Sequence, residues 1–232
     1  MSLTQPLSDP FADADLRPQA EAAVAAMRRF ELLGLNRGST GNLSLRLAHS
    51  AREGMLITPT GMGADELTPL DLVWRGFDGS LLGLWQPSSE WHFHQAIYRA
   101  RPDLNAVVHL HSVHATALAC LNRGLPAFHY MVAVAGGDDV PCTAYHPFGT
   151  EALSKAVAAA MAERNACLMA NHGLVAAGAT LAQAVKVALE IESLCQTYLL
   201  ALAVGEPVLL SREQMTLVIE KFKTYGKTAR AS

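Results

Sequence analysis

The strongest local constraint on this chain lies at residues 166–177, where two apolar runs, Ala166 to Ala170 and Leu174 to Ala177, are separated only by Asn171-His172-Gly173. So short a connection reverses the chain, because a parallel pair needs a crossover of roughly a dozen or more residues. The two runs are read as a hairpin-like pair, and every other element must fit a sheet that accepts it. Leu43 to Leu47, Met55 to Thr58 and residues 105–111 are strand-like, and 130–135 and 141–145 read as two further strands. Helices are expected over 18–34, from Pro87-Ser88-Ser89 to about Arg101, and from a Ser112 cap to about Asn122. Three more are expected over 151–164, from Thr180 to about Val204, and over 212–224. Several connections are too short for βαβ crossovers. The expected fold class is therefore α/β: a three-layer α/β/α domain with a mixed, mostly antiparallel central sheet.

The chain has 232 residues, half of them hydrophobic, which is ample for a sizeable core. A net charge of −3 gives no electrostatic case for nucleic acid or an anionic membrane as partner. Cys120, Cys142, Cys167 and Cys195 form no CxxC pair, which suits reduced, mostly buried thiols rather than a zinc knuckle or a disulfide framework. The acidic, Pro-interrupted start lacks the basic and apolar regions of a signal peptide, and polar residues interrupt each apolar run before it is long enough to span a bilayer. A soluble, cytoplasmic protein is expected.

His109 and His111 are two apart on an expected strand, so both side chains project from one face. A single metal needs that geometry to take two imidazoles from one segment, although two core histidines bonded to backbone would look the same. His172, at a turn and followed by Gly173, can be presented from the end of a sheet. Three imidazoles leave a fourth position open, as in a catalytic rather than a structural zinc site. Glu90 falls at the start of its helix, on the side of Phe93, Ala96, Ile97 and Ala100, whereas His92, Gln95 and Arg99 lie on the other, wetter side. A carboxylate there is a fourth ligand, a general acid/base, or a cap favoured by the helix dipole. His92, His94, His49 and His146 have no such partners by sequence, and His114 suits a supporting role better than ligation.

Three segments offer anion sites without a local cation apart from Arg37. They are the Gly38-Ser39-Thr40-Gly41-Asn42 turn, Thr58-Pro59-Thr60-Gly61, and Ser88-Ser89 at a helix start. Neutral donors of this kind suit one phosphate rather than a triphosphate with magnesium, and there is no Walker motif.

The ordered set GNLSLR (41–46), ITPTGM (57–62), PSSEWHFHQAIYRARPDLNAVVHLHSVHATALA (87–119) and NHGL (171–174) resembles the class II aldolase/adducin family. FHYMVAVAGG (128–137), VPCTAYHPFGTEALSKAV (140–157) and EKFKTYG (220–226) are most similar to its ketose-1-phosphate aldolases. The resemblance implies one Zn2+ per subunit, with another divalent metal as the alternative, and a homotetramer with active sites at subunit interfaces. It implies that His109, His111 and His172 bind the metal, joined by Glu90 when substrate is absent, and that Glu90 is the catalytic acid/base. Tyr130 then comes from a neighbouring subunit. Ser39, Gly41, Asn42, Thr60, Gly61, Ser88 and Ser89 form a phosphate cradle, and Tyr225 belongs to a lid. Residues 1–17 become a flexible extension, and 18–232 a single domain with a mobile C-terminal tail.

The implied reaction is cleavage of an L-fuculose 1-phosphate-like ketose to dihydroxyacetone phosphate and a small aldehyde through an enediolate. A 5-deoxyribulose or 5-methylthioribulose 1-phosphate is the alternative substrate. A sugar-phosphate epimerase, dehydratase or decarboxylase would use the same metal differently. A non-catalytic, adducin-like module has no need of the histidines, Glu90 and the cradle together. No lysine stands in a Schiff-base motif, so a metal is the expected electron sink.

Overall fold

The computed structural model describes residues 16–222. Eight strands form one sheet: β1 (Asn42–His49), β2 (Arg52–Ile57), β3 (Val73–Gly76), β4 (Leu81–Leu82), β5 (Ala106–Leu110), β6 (Cys142–Thr143), β7 (Ala166–Met169) and β8 (Gly173–Gly178). Their spatial order is β4-β3-β2-β1-β5-β8-β7-β6, antiparallel throughout except for the parallel β6/β7 pair. The mixed, mostly antiparallel sheet is thus as expected. The 166–177 hairpin forms in register, Met169 opposite Gly173 and Ala166 opposite Ala176.

Among the described residues six α-helices flank the sheet: α1 (Arg17–Leu32), α2 (Trp91–Ala100), α3 (Val113–Cys120), α4 (Glu151–Ala160), α5 (Leu181–Val204) and α6 (Arg212–Phe222). The period-2 alternation of each strand divides them into two layers. Leu43, Leu45, Val108, Leu110, Leu174 and Ala176 face a core shared with α1, α3 and α5. Met55, Ile57, Val107, Val175 and Ala177 face a second core, filled by Phe93, Ile97 and Tyr98 of α2 and by Leu153 and Val157 of α4. Three layers result because both faces of the central strands are apolar and must be covered.

Helix α5 begins at its Thr180 cap, whose hydroxyl accepts from Gln183 N–H at 3.2 Å. Contrary to the expectation that no apolar run is long enough, its 24 residues would suffice by length and apolarity to cross a membrane. Here the helix lies along the sheet, packed on β8, β5 and α3. It also buries a carboxylate, Glu192, which accepts from Ser112 Oγ at 2.7 Å and from Ala115 N–H at 2.8 Å. Ser112 therefore precedes α3 without capping it. Glu192 supplies the acceptor there, and its second oxygen takes His114 N–H and Nδ1 at 2.9 and 2.8 Å. His114 is structural.

Three expectations are corrected. Residues 130–135 form a 3-10 helix (Tyr130–Ala135) rather than a strand. His129 Nδ1 accepts from Met131 N–H at its start, Gly136 ends it at φ 87°, and it packs on α5 and α6. Of 141–145 only Cys142–Thr143 pairs, after which the chain leaves the sheet. Residues 73–82, where no strand is expected, form the β3/β4 hairpin around Asp78-Gly79-Ser80, with Gly79 at φ 94°.

Candidate active site

Strand β5 ends at Leu110, so His109 is the penultimate strand residue and His111 lies just beyond the sheet. Their parity still puts both rings on the α2 side, where Phe93 meets the His109 ring edge-on, centroids 5.6 Å apart. His172 arrives from the turn between β7 and β8. Asn171 adopts φ 54° to make that turn, and Gly173 is required by close approach. A Cβ at Gly173 would lie 2.5 Å from Leu110 O and 3.1 Å from the His111 ring. The hairpin thereby brings His172 against a strand more than sixty residues earlier. One ring nitrogen from each of His109, His111 and His172 falls within a 4.8 Å span.

Glu90 closes this group. It is the residue preceding α2 rather than part of its first turn, is 8% exposed, and makes no capping bond with its side chain. Glu90 thus stands at the N-cap position without capping the helix by a hydrogen bond. Its Oε2 lies 3.2 Å from His109 Nε2, and its Oε1 3.2 Å from His172 Nε2. Asn42 Nδ2 donates to Oε2 at 2.9 Å. Burial opposes the Glu90 charge, but His109 and His172 more than offset it and hold the carboxyl well below its usual range.

The donor set fits a divalent cation. His109 Nδ1 lies 2.9 Å from Leu174 O, which can only accept, so Nδ1 carries the proton. In the neutral ring Nε2 then presents a lone pair, yet it faces Glu90 Oε2 and, at 3.0 Å, His111 Nε2. Burial, then His109 and His172, push His111 down to about 4, which keeps its ring in the neutral form that binds metal. Lone pairs converging in this way need a cation among them. Three imidazoles and a carboxylate suit zinc or another first-row divalent ion.

Beside this group lies a cavity of about 310 Å³. Ser39, Gly41, Asn42, Thr60, Ser88, Ser89, Glu90, His111 and His172 line it, so most of the expected cradle converges with the metal-binding group. Gly61 is not on its wall; it turns the adjoining loop at φ 71°. Gly41 is required, since a Cβ there would sit 2.6 Å from Asn36 Oδ1 and 2.7 Å from His109 O. The Pro59/Pro87 bridge and the Ser88 N–H bond to Thr58 O (3.0 Å) hold the second and third anion turns side by side. Thr40 Oγ1 is committed to Arg37 O at 2.7 Å. Ser39 is exposed at the cavity and carries the available hydroxyl of that turn.

Two expectations about histidines are overturned. His146 lines the cavity together with Tyr145, Phe148 and Asn171, none of which was foreseen. Tyr145, His146 and Phe148 arrive because the chain leaves the sheet after β6, a tertiary event with no local signal, whereas Asn171 comes with the β7/β8 turn. His94 is completely buried, its Nδ1 2.7 Å from Ser44 Oγ and its Nε2 2.5 Å from Asn42 Oδ1. Burial, with His109 nearby, pushes it down to about 3, so the ring is neutral. A signal for His94 did exist: it stands four residues after Glu90, on the same helical face. That face also holds Tyr98 rather than Ala100, which is exposed, while Gln95 is buried and accepts from Arg75 at 2.8 Å. Tyr130 is half-exposed on the 3-10 helix and does not line its own chain's cavity. Tyr225, the N-terminal extension and the C-terminal tail lie outside the described residues, apart from Leu16 and Arg17.

The chain as a whole is similar to known proteins. Residues 21–199 match the family model described as class II aldolase and adducin N-terminal domain. The 5-methylthioribulose-1-phosphate/5-deoxyribulose-1-phosphate aldolase of Rhodospirillum rubrum is 49% identical, over 89% of this chain and 92% of its own. L-fuculose phosphate aldolase of Escherichia coli K12 is 50% identical, over 84% of this chain and 89% of its own. A solved L-fuculose 1-phosphate aldolase superposes with a TM-score of 0.84 at 38% identity, covering 92% of this chain and 99% of that one. The chain belongs to the class II aldolase and adducin family. Within it the chain stands with the metal-dependent aldolases, and it is a lyase.

Proposed function

We propose that this protein cleaves an L-fuculose 1-phosphate-like ketose 1-phosphate to dihydroxyacetone phosphate and a small aldehyde, with zinc held by His109, His111, His172 and, before substrate arrives, Glu90. The observation that carries this reading is the meeting, in one cavity, of a cation-demanding donor set and turns rich in neutral phosphate donors. The bound cation would polarise the substrate carbonyl and stabilise the charge left on carbon by cleavage.

The chain's own groups do the rest. Ser39, Thr60, Ser88 and Ser89, with the backbone around Gly41 and Gly61, take the phosphate, orienting the ketose with its carbonyl toward the histidines. Asn42 spends one amide hydrogen on Glu90 and keeps the other for substrate. Glu90 moves the proton at the carbon next to the carbonyl, delivering it in cleavage and removing it in synthesis. Tyr130, exposed and away from its own cavity, is read as entering a neighbouring subunit's cavity in a homotetramer, where it handles the proton on the hydroxyl that becomes the aldehyde. Four free cysteines support a cytoplasmic setting.

Relatives acting on fuculose phosphate and on methylthioribulose or deoxyribulose phosphates are equally similar, so the latter substrates form the second reading. The test is release of dihydroxyacetone phosphate from L-fuculose 1-phosphate, 5-deoxyribulose 1-phosphate and 5-methylthioribulose 1-phosphate, with metal content measured on the same preparation. Release from none of the three by metal-replete protein rejects the proposal. Trapping of a lysine adduct by borohydride would do so as well.

A further inference from the structure

We propose that His94 is a positioning residue: it sets the orientation of the Asn42 amide, and through it the acid/base carboxylate of Glu90. The inference rests on the role given to Glu90 above, and its observation is an unbroken hydrogen-bond chain inside the protein. Glu90 Oε2 accepts from Asn42 Nδ2 (2.9 Å), and Asn42 Oδ1 faces His94 Nε2 (2.5 Å). His94 Nδ1 faces Ser44 Oγ (2.7 Å), which meets Tyr98 OH (2.8 Å), and Tyr98 OH also donates to Ser44 O (2.9 Å). Ser44 and His94 are wholly buried, Tyr98 is 1% exposed and Asn42 3%, so water does not complete any link.

The directions follow from which atoms can donate. An ionised carboxylate only accepts, so Asn42 must turn its nitrogen to Glu90 and its oxygen to His94. That oxygen also only accepts, so His94 carries its proton on Nε2. The bare Nδ1 then takes the Ser44 hydroxyl proton, and the single Tyr98 proton is shared between Ser44 Oγ and Ser44 O. From Ser44 through His94 to Asn42, every proton points toward Glu90. An amide rotated by half a turn would set oxygen against carboxylate and N–H against N–H. His94 therefore selects one of two amide orientations that are nearly equal in shape.

The test uses the full-length, metal-loaded chain and three readouts: solvent exchange of the carbon-bound proton of dihydroxyacetone phosphate, metal content, and 15N NMR of the His94 ring. His94→Leu removes both nitrogens, whereas His94→Gln keeps an N–H near the Nε2 position. His94→Leu is expected to lower kcat for exchange by roughly 10- to 100-fold, with KM and metal content within about 3-fold, the size usual for partners that orient a reactive group. His94→Gln is expected to recover most of that loss, and the wild-type ring to show the proton on Nε2. Equal losses in the two variants, a loss explained by KM or by metal, or a ring protonated on Nδ1 would overturn the proposal. Should His94→Leu fail to fold, Ser44→Ala leaves the ring in place and carries the same expectation, with a loss of about 3- to 10-fold. If wild-type protein exchanges no proton, the reading of Glu90 falls instead. The NMR result then decides alone: Nε2–H upholds the hydrogen-bond chain and Nδ1–H overturns it.

Discussion

The two walls of the cavity are built differently. The histidine wall grows from hydrogen-bonded strands: His109 within β5, His111 one residue past it, and His172 on the turn that Gly173 lets close against Leu110. Its polar atoms face one another, and its fourth member is 8% exposed. The opposite wall consists of turns with exposed hydroxyls at Ser39, Thr60 and Ser89; a bridge between Pro59 and Pro87 joins the second and third turns, and bonds between Leu43 and Thr58 tie the first to the second. A cation needs donors fixed to within a few tenths of an ångström, which a sheet provides. A phosphate has three equivalent oxygens and tolerates turns. The rigid wall should therefore respond to substitution by failing outright, and the turn wall by graded loss of affinity.

The largest effect should come from the metal group itself. His109→Ala is expected to bring metal content near zero and abolish aldol cleavage, and EDTA should do the same reversibly to the wild type. Cleavage that survives EDTA treatment, with metal shown to be gone, would sink the role assigned to this wall. Next comes Glu90→Gln, which keeps the shape and one oxygen donor but removes the base. Exchange of the dihydroxyacetone phosphate proton should fall by about 10²- to 10⁴-fold while metal remains bound. Exchange at the wild-type rate would rule out the proton-transfer role.

A smaller, structural effect is expected of Gly173→Ala. The added Cβ meets Leu110 O at 2.5 Å, so the hairpin must shift. A loss of about 1–3 kcal/mol in unfolding free energy is expected, together with weaker metal binding, measured by denaturant titration and metal titration. Unchanged metal affinity would mean that the histidine wall is less rigid than its construction suggests. The smallest effect belongs to the turn wall. Ser39→Ala should raise KM about 10-fold, equivalent to one charge-assisted hydrogen bond, with kcat nearly unchanged. Thr40→Ala, whose hydroxyl is already spent on Arg37 O, should raise KM less. A reversed order in a kinetic comparison would transfer the phosphate contact from Ser39 to Thr40.

Legibility from sequence differed between regions for physical reasons. The 166–177 hairpin was readable because a three-residue connection leaves the chain no alternative to reversal. Thr180 as the start of α5 was readable because a cap is local chemistry. The 130–135 segment was misread because a short apolar run suits a strand and a buried 3-10 helix equally, and only its contacts with α5 and α6 decide. Glu90 was correctly placed on a buried side, but the same period should have carried His94 with it. The difference was that a lone histidine shows no partner in sequence, whereas Ser44 and Asn42 reach it across fifty residues.

By itself, then, the sequence determined the alternation of apolar faces, the caps and tight turns, and the residue types able to hold a cation and a phosphate. Those are properties of neighbouring residues and follow from local sterics and period. Tertiary structure alone decided that His172 meets His109, that the stretch after β6 carries Tyr145, His146 and Phe148 to the cavity, and that Thr40 is spent while Ser39 is available. These depend on pairings between distant segments, whose free energy is set by the whole packed sheet. The constraint met first, the reversal at Asn171-His172-Gly173, belongs to both: its turn is local, but what the turn presents His172 to is not.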